Sequence, residues 1–204
     1  TLLMMGLSLI WAGSSGGINV FLRNNTFNYS STLSVTKPMY GLSGIGEPFA
    51  DVADYNFLII LKDVNTGNGT TGGFSFVENT MEAAFPNGGY SANAIWTFGT
   101  LRGRTFIFAH NSFTLQNTGV TTYKPVRVLE FDEQNSVALQ LHSGDDGLMF
   151  WNNSVNLTAD TQGAEAIFFN GEASVAPDAR VLFGSCQVTI VVATTANARF
   201  FYTS

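Results

Sequence analysis

The stretch TLLMMGLSLIWAGSSGGINVFL, Thr1 to Leu22, carries no charged residue before Arg23. Its reading decides what kind of chain follows. As a helix, at about 1.5 Å per residue, it reaches the length of a bilayer span. Gly13, Ser14, Ser15, Gly16 and Gly17 interrupt it, because Gly costs about 1 kcal/mol in a helix interior. The uninterrupted apolar part is then too short, and no membrane span is expected in the mature chain. As a leader, Leu2 to Ala12 has the length of a signal peptide's apolar region but lacks the basic segment that precedes one.

As a strand, the stretch places Leu3, Met5, Leu7, Leu9 and Trp11 on one face. The other face, with Gly6 and Ser8, is partly small. This reading leads to an apolar donor strand and Gly/Ser link over residues 1–17, ahead of a folded domain over 18–204. The link would let the strand leave its own domain and fill a groove in the next subunit.

Composition points the same way. Charged residues make up 12% of the 204 residues, about half the usual share, so there is little charge to keep a monomer's surface soluble. The nine Lys and Arg residues form no cluster, so counterion release gives no footing for nucleic-acid binding through a basic patch. Cys186 is the single cysteine. No intrachain disulfide follows, and the expectation is a buried structural thiol beside Val188, Ile190 and Val192.

Further along, short apolar runs alternate with turn residues. Tyr55 to Val64 is a near-continuous apolar run that suits a strand buried on both faces. Asn65 to Gly73 is glycine-rich, but it lacks the Lys and helix start of a phosphate loop and reads as a hairpin tip. Glu78 to Phe85 is the best helix candidate, capped by Asn79 or Thr80. Phe106 and Phe108 share one face, and Pro125 interrupts a strand over Val120 to Phe131. Ser136 to His142 alternates cleanly. No internal repeat is evident. About a dozen strands with at most one or two short helices predict an all-β, single-domain antiparallel β-sandwich or jelly roll with an extended N-terminal strand. Ser136 to Asp146, SVALQLHSGDD, and the final strands expected over Arg180 to Phe183, Cys186 to Ala193 and Ala198 to Tyr202 together resemble trimeric jelly-roll modules of the C1q type, a likeness that implies no residue role.

Little points to chemistry, and no enzyme is expected. His142, Ser143 and Asp145 supply triad residue types, but a tight turn does not place them in relay geometry. Glu130, Asp132 and Glu133 could act as paired carboxylates only if held in a cleft. Asp51, Asp54 and Asn56 in one loop, and Asp145 and Asp146 in another, are oxygen donors for calcium, the one cofactor considered. Asn24, Asn28, Asn68, Asn152 and Asn156 each begin an Asn-X-Ser/Thr acceptor triplet, which favours an exported, glycosylated protein.

The functional expectation is a structural subunit of an extracellular surface filament. Copies would polymerise through the strand bearing Leu3, Met5, Leu7, Leu9 and Trp11. The alternatives are a viral capsid or spike subunit and a secreted carbohydrate-binding domain, the last using Trp96, Trp151 and Tyr90 as sugar platforms.

Overall fold

The structure is a computed structural model that describes residues 7–10, 19–30, 55–62, 73–85, 91–98, 101–117, 125–141, 147–159, 163–193 and 196–203. Its strands are β1 (Leu7–Ile10), β2 (Asn19–Arg23), β3 (Thr26–Ser30), β4 (Tyr55–Lys62), β5 (Gly73–Val77), β6 (Thr80–Phe85), β7 (Ser91–Phe98), β8 (Leu101–Arg102), β9 (Thr105–Ala109), β10 (Ser112–Asn117), β11 (Val126–Leu141), β12 (Gly147–Trp151), β13 (Ser154–Ala159), β14 (Ala164–Val175), β15 (Val181–Gly184), β16 (Gln187–Val192) and β17 (Ala198–Thr203). No helix occurs among the described residues.

Every strand pairing among the described residues is parallel, which overturns the antiparallel sandwich and the jelly roll. Sheet A runs β1-β4-β7-β11-β14-β17, with β8 beside β11; sheet B runs β2-β5-β9-β12-β15; sheet C runs β3-β6-β10-β13-β16. Each circuit of the chain adds one strand to each sheet, so the molecule is a parallel β-solenoid in which each coil stacks on the one before. The sandwich expectation failed because inward–outward alternation has period two in either strand direction. The side-chain pattern therefore does not reveal which strand is the neighbour.

Two local expectations also change. The helix expected over Glu78 to Phe85 is strand β6, entered through a turn at Glu78-Asn79. The strand expected from Val120 is described from Val126, beyond Pro125, and continues to Leu141, absorbing most of the Ser136–His142 run.

Strand β1 pairs with β4 of its own chain, Leu7 opposite Ile59 and Leu9 opposite Leu61. Leu7 and Leu9 thus stand in the chain's own first coil, while Leu3, Met5 and Trp11 lie outside the described residues.

Alternation does place the core correctly. In β5, β9 and β12, the residues Phe74, Phe76, Phe106, Phe108, Leu148 and Phe150 are fully buried, and they stack in register from coil to coil. Across the interior Phe27, Phe76, Phe113, Phe150 and Phe200 follow one another with ring centroids 5.9, 6.2, 6.2 and 6.4 Å apart. These are spacings at which aromatic pairs attract beyond their buried area.

Sheet A is different. All residues from Val126 to Phe131 in β11, and from Ala164 to Phe169 in β14, are buried, so both faces are covered there. A run covered on both faces has no room for unpaired charge, yet it holds Arg127, Glu130 and Glu165. Arg127 Nη1 lies 2.8 Å from Glu130 Oε1 and its Nε lies 2.8 Å from Glu165 Oε2. Arg199 Nη1 reaches the other Glu165 oxygen at 3.3 Å. Arg127 also lies over the Phe168 ring, 3.7 Å from its centroid. The charges sum to zero, as burial requires.

Candidate functional site: the ridge between sheets B and C

The passage from sheet B to sheet C is made each time by a turn of two residues. The first has positive φ: Asn24 at 57°, Glu78 at 58°, His110 at 57°, Asn152 at 51° and Ser185 at 51°. That conformation is uncommon for residues other than Gly, and Asn and His adopt it more readily than most. The second residue points inward at every coil but the first, where it is exposed. It is Asn25, Asn79, Asn111 and Asn153 in the first four coils, and Cys186 in the fifth.

These asparagines form a hydrogen-bonded ladder along the solenoid. The Asn79 Oδ1 accepts from the Asn25 backbone N–H at 2.9 Å, Asn111 Oδ1 accepts from Asn79 N–H at 2.9 Å, and Asn153 Oδ1 accepts from Asn111 N–H at 2.9 Å. The amide nitrogens donate back to carbonyls of sheet B: Asn79 to Leu22, Asn111 to Phe76 and Asn153 to Phe108, each at 2.8 Å. Backbone polar groups inside the turns are thereby satisfied where water does not reach. At Cys186 the series ends. Its Sγ lies 3.1 Å from the Gly184 carbonyl and 3.8 Å from that of Phe150, and a thiol offers no oxygen to the coil below. The residue is half-buried rather than buried, and packs beside Val188, Ile190 and Val192 against the core.

The ladder explains part of the acceptor-triplet pattern. Asn24-Asn25-Thr26 and Asn152-Asn153-Ser154 have the same build as Glu78-Asn79-Thr80 and His110-Asn111-Ser112: a positive-φ residue, a ladder Asn, then the first residue of a sheet C strand. Asn28 in β3 and Asn156 in β13 are exposed on the outer side of sheet C, and Asn68 lies outside the described residues.

The positive-φ residues face solvent as a ridge. Arg23 and Glu78 form a two-point ion pair, Nε to Oε2 and Nη2 to Oε1, both at 3.0 Å. Asn152 Nδ2 and His110 Nδ1 lie 2.8 Å apart. The hydrogen bonds from Arg23 hold the Glu78 carboxyl below the ordinary carboxylate range. With a depressed folded-state value, the pair stabilises at neutral pH, and its contribution is lost as the pH falls through the Glu78 value into acid. In Arg23→Gln, Glu78 is expected to titrate at a higher pH than in the wild type. A carboxyl-carbon NMR titration checks this, and an unmoved midpoint contradicts it.

Beside the ridge lies the outer face of sheet B. One row across it reads Phe21, Ser75, Ile107, Met149 and Leu182; the row next to the ridge reads Arg23, Val77, Ala109, Trp151 and Gly184. Phe21 is 70% exposed and Leu182 41%. Trp151 is half-buried, and its indole leans over Gly184, where a Cβ would stand 2.6 Å from Cζ3.

The other sequence candidates are not brought together. Asp51, Asp54, Asp145 and Asp146 lie outside the described residues, and Asn56 is in β4. Among the described residues no group of three or more His, Cys, Asp or Glu side chains is placed to hold a metal. His142, Ser143 and Asp145 are also outside. Glu130 is fully buried, so it is not placed to meet a polymeric substrate. Of the three proposed sugar platforms, Trp151 faces outward, Trp96 is in β7 and Tyr90 lies outside the described residues.

No family model matches the chain, and neither curated proteins nor solved structures yield a match.

Proposed function

We propose that the chain is a structural, non-catalytic solenoid that associates with copies of itself through the outer face of sheet B. The observation that supports this is the uncharged row Phe21, Ser75, Ile107, Met149 and Leu182, apolar at every position but Ser75, with Phe21 70% exposed at one end and Leu182 41% at the other. At about 4.8 Å per strand the row extends roughly 20 Å along the solenoid. Exposed, predominantly apolar and uncharged surface of this kind marks association sites. A flat face of repeating rows is self-complementary about a twofold axis, so a second copy is its simplest partner. Strand donation forms no part of this reading, because β1 completes the chain's own first coil.

The wild-type chain is expected to sediment as a dimer or larger species at micromolar concentration. Phe21→Lys/Leu182→Lys is expected to sediment as a monomer with an unchanged far-UV spectrum. A monomeric wild type overturns the proposal, and so does a double variant that assembles normally.

A further inference from the structure

We propose that the ridge around Trp151 is a binding site for a neutral glycan chain. It goes beyond self-association and uses different side chains, at the margin of the apolar row rather than in it. The first observation is the seating of Trp151. Its neighbour in the next coil is Gly184, and the benzo edge of the indole occupies the space a side chain would fill. Backbone therefore supports the ring from below, and the half-buried indole offers its other side outward. An aromatic face presented this way suits the apolar C–H face of a pyranose.

The second observation is the chemistry next to the ring. Asn152 follows Trp151 directly and is paired with His110 at 2.8 Å; both are exposed. Ser185 continues the ridge on the next coil, and Glu78 and Arg23 continue it on the coils before. Imidazole, amide and hydroxyl groups both donate and accept hydrogen bonds, as sugar hydroxyls do. The Arg23–Glu78 pair cancels its own charge, and the Asn24, Asn152 and Ser185 side chains of the ridge carry none. The third is spacing. Successive coils repeat at about 4.8 Å, close to the advance per sugar of an extended glycan. A chain laid along the solenoid axis meets Trp151 with one sugar, and its neighbours meet the ridge residues of the adjoining coils.

The test is a titration of the whole chain with cellohexaose, xylohexaose, mannohexaose and chitohexaose, with a hexamer of galacturonate as the anionic comparison. Binding is read by calorimetry and tryptophan fluorescence. The wild type is expected to bind at least one neutral hexamer. Trp151→Ala is expected to weaken binding about tenfold or more, the scale of one lost aromatic contact. Gly184→Val, which keeps Trp151 but displaces its ring, is expected to do the same. Trp151→Phe keeps a ring and should retain part of the affinity, and Phe21→Lys/Leu182→Lys, which uncovers the sheet B face by abolishing self-association, should bind at least as tightly as the wild type. Failure of all four neutral hexamers to bind, tighter binding of galacturonate, or unchanged binding by a folded Trp151→Ala chain would each overturn the proposal.

Discussion

Arg127→Ala is expected to destabilise the chain by about 3 to 5 kcal/mol, the range for breaking a buried ion pair from one side. Arg127 is 4% exposed, Glu165 2% and Glu130 0%. The substitution removes the guanidinium that lies 2.8 Å from each carboxylate. Glu165 keeps Arg199 at 3.3 Å, and Glu130 loses its ion pair with Arg127. Packing is lost as well, because Arg127 covers the Phe168 ring, and the long apolar stem of an arginine contributes by contact as well as by charge. Arg127→Met separates the two effects: it restores much of the volume and none of the charge.

The variant Arg127→Met/Glu130→Leu/Glu165→Gln removes the buried charges together and is expected to recover most of the loss. Replacing a whole buried ionic group by packed neutral residues is often neutral or stabilising. Urea unfolding monitored by circular dichroism gives the three values. Added salt should change them little, since buried pairs are weakly screened. A cost below about 1 kcal/mol for Arg127→Ala would mean that water reaches the network and that it behaves as a surface pair.

The network's placement bears on how the solenoid holds its register. Arg127 stands opposite Glu165 between β11 and β14, and Glu165 stands opposite Arg199 between β14 and β17. Three successive coils are thus tied at one position in sheet A, while the asparagine ladder ties coils at the sheet B to sheet C turn. Coils that contact only their neighbours gain stability mainly from such interfaces. A slip by one residue would turn every side chain to the wrong face. Both rows penalise that slip, through charge in one case and directed hydrogen bonds in the other.

Inward faces were legible in the sequence where alternation is regular, as Phe106 and Phe108 illustrate, but not over Ser136–Leu141, where Ala138 and Leu139 are both buried and the register shifts at Val137. Strand partners were not legible, because the pairing that defines the fold joins residues far apart. Glu78-Asn79-Thr80 makes the point. An Asn before an apolar run reads as a helix cap because its side chain accepts a backbone N–H. Asn79 does accept one, but from Asn25, 54 residues away. The type of interaction was visible and its partner was not.

The repeat itself was present as apolar-X-apolar, then two or more residues, then Asn-Ser/Thr-apolar, around Phe76-Val77-Glu78-Asn79-Thr80-Met81 and Phe108-Ala109-His110-Asn111-Ser112-Phe113. Unequal coil lengths hid it: successive ladder residues stand 54, 32 and 42 positions apart. The charged network left no comparable trace, since Arg127 and Glu165 meet only once the coils between them have closed.

Asn111→Ala is expected to cost about 3 to 5 kcal/mol, and the argument turns on what the substitution leaves behind. The side chain makes four hydrogen bonds. Its Oδ1 accepts from the Asn79 backbone N–H at 2.9 Å and from Asn79 Nδ2 at 3.3 Å. Its Nδ2 donates to the Phe76 carbonyl at 2.8 Å and to Asn153 Oδ1 at 3.0 Å. With Asn111 only 2% exposed, Ala strands the Asn79 N–H and the Phe76 carbonyl in a turn that water does not reach. Each buried group so stranded costs about 1 to 3 kcal/mol. Asn111→Asp keeps the acceptor but loses both donors and buries a charge, so it should fare no better at neutral pH.

The end of the ladder supplies the control. Asn25 is exposed, and Asn25→Ala removes bonds that water can replace, for an expected cost below about 1 kcal/mol. Cys186→Asn works in the opposite direction. It would give the fifth coil the oxygen that Asn153 lacks above it, and is expected to raise the urea midpoint. Amide exchange adds a local reading, since the Asn79 N–H should lose protection in Asn111→Ala before the strands of sheet A do. Equal costs at Asn25 and Asn111 would show that the ladder is incidental and that the stacked phenylalanines alone fix the turn.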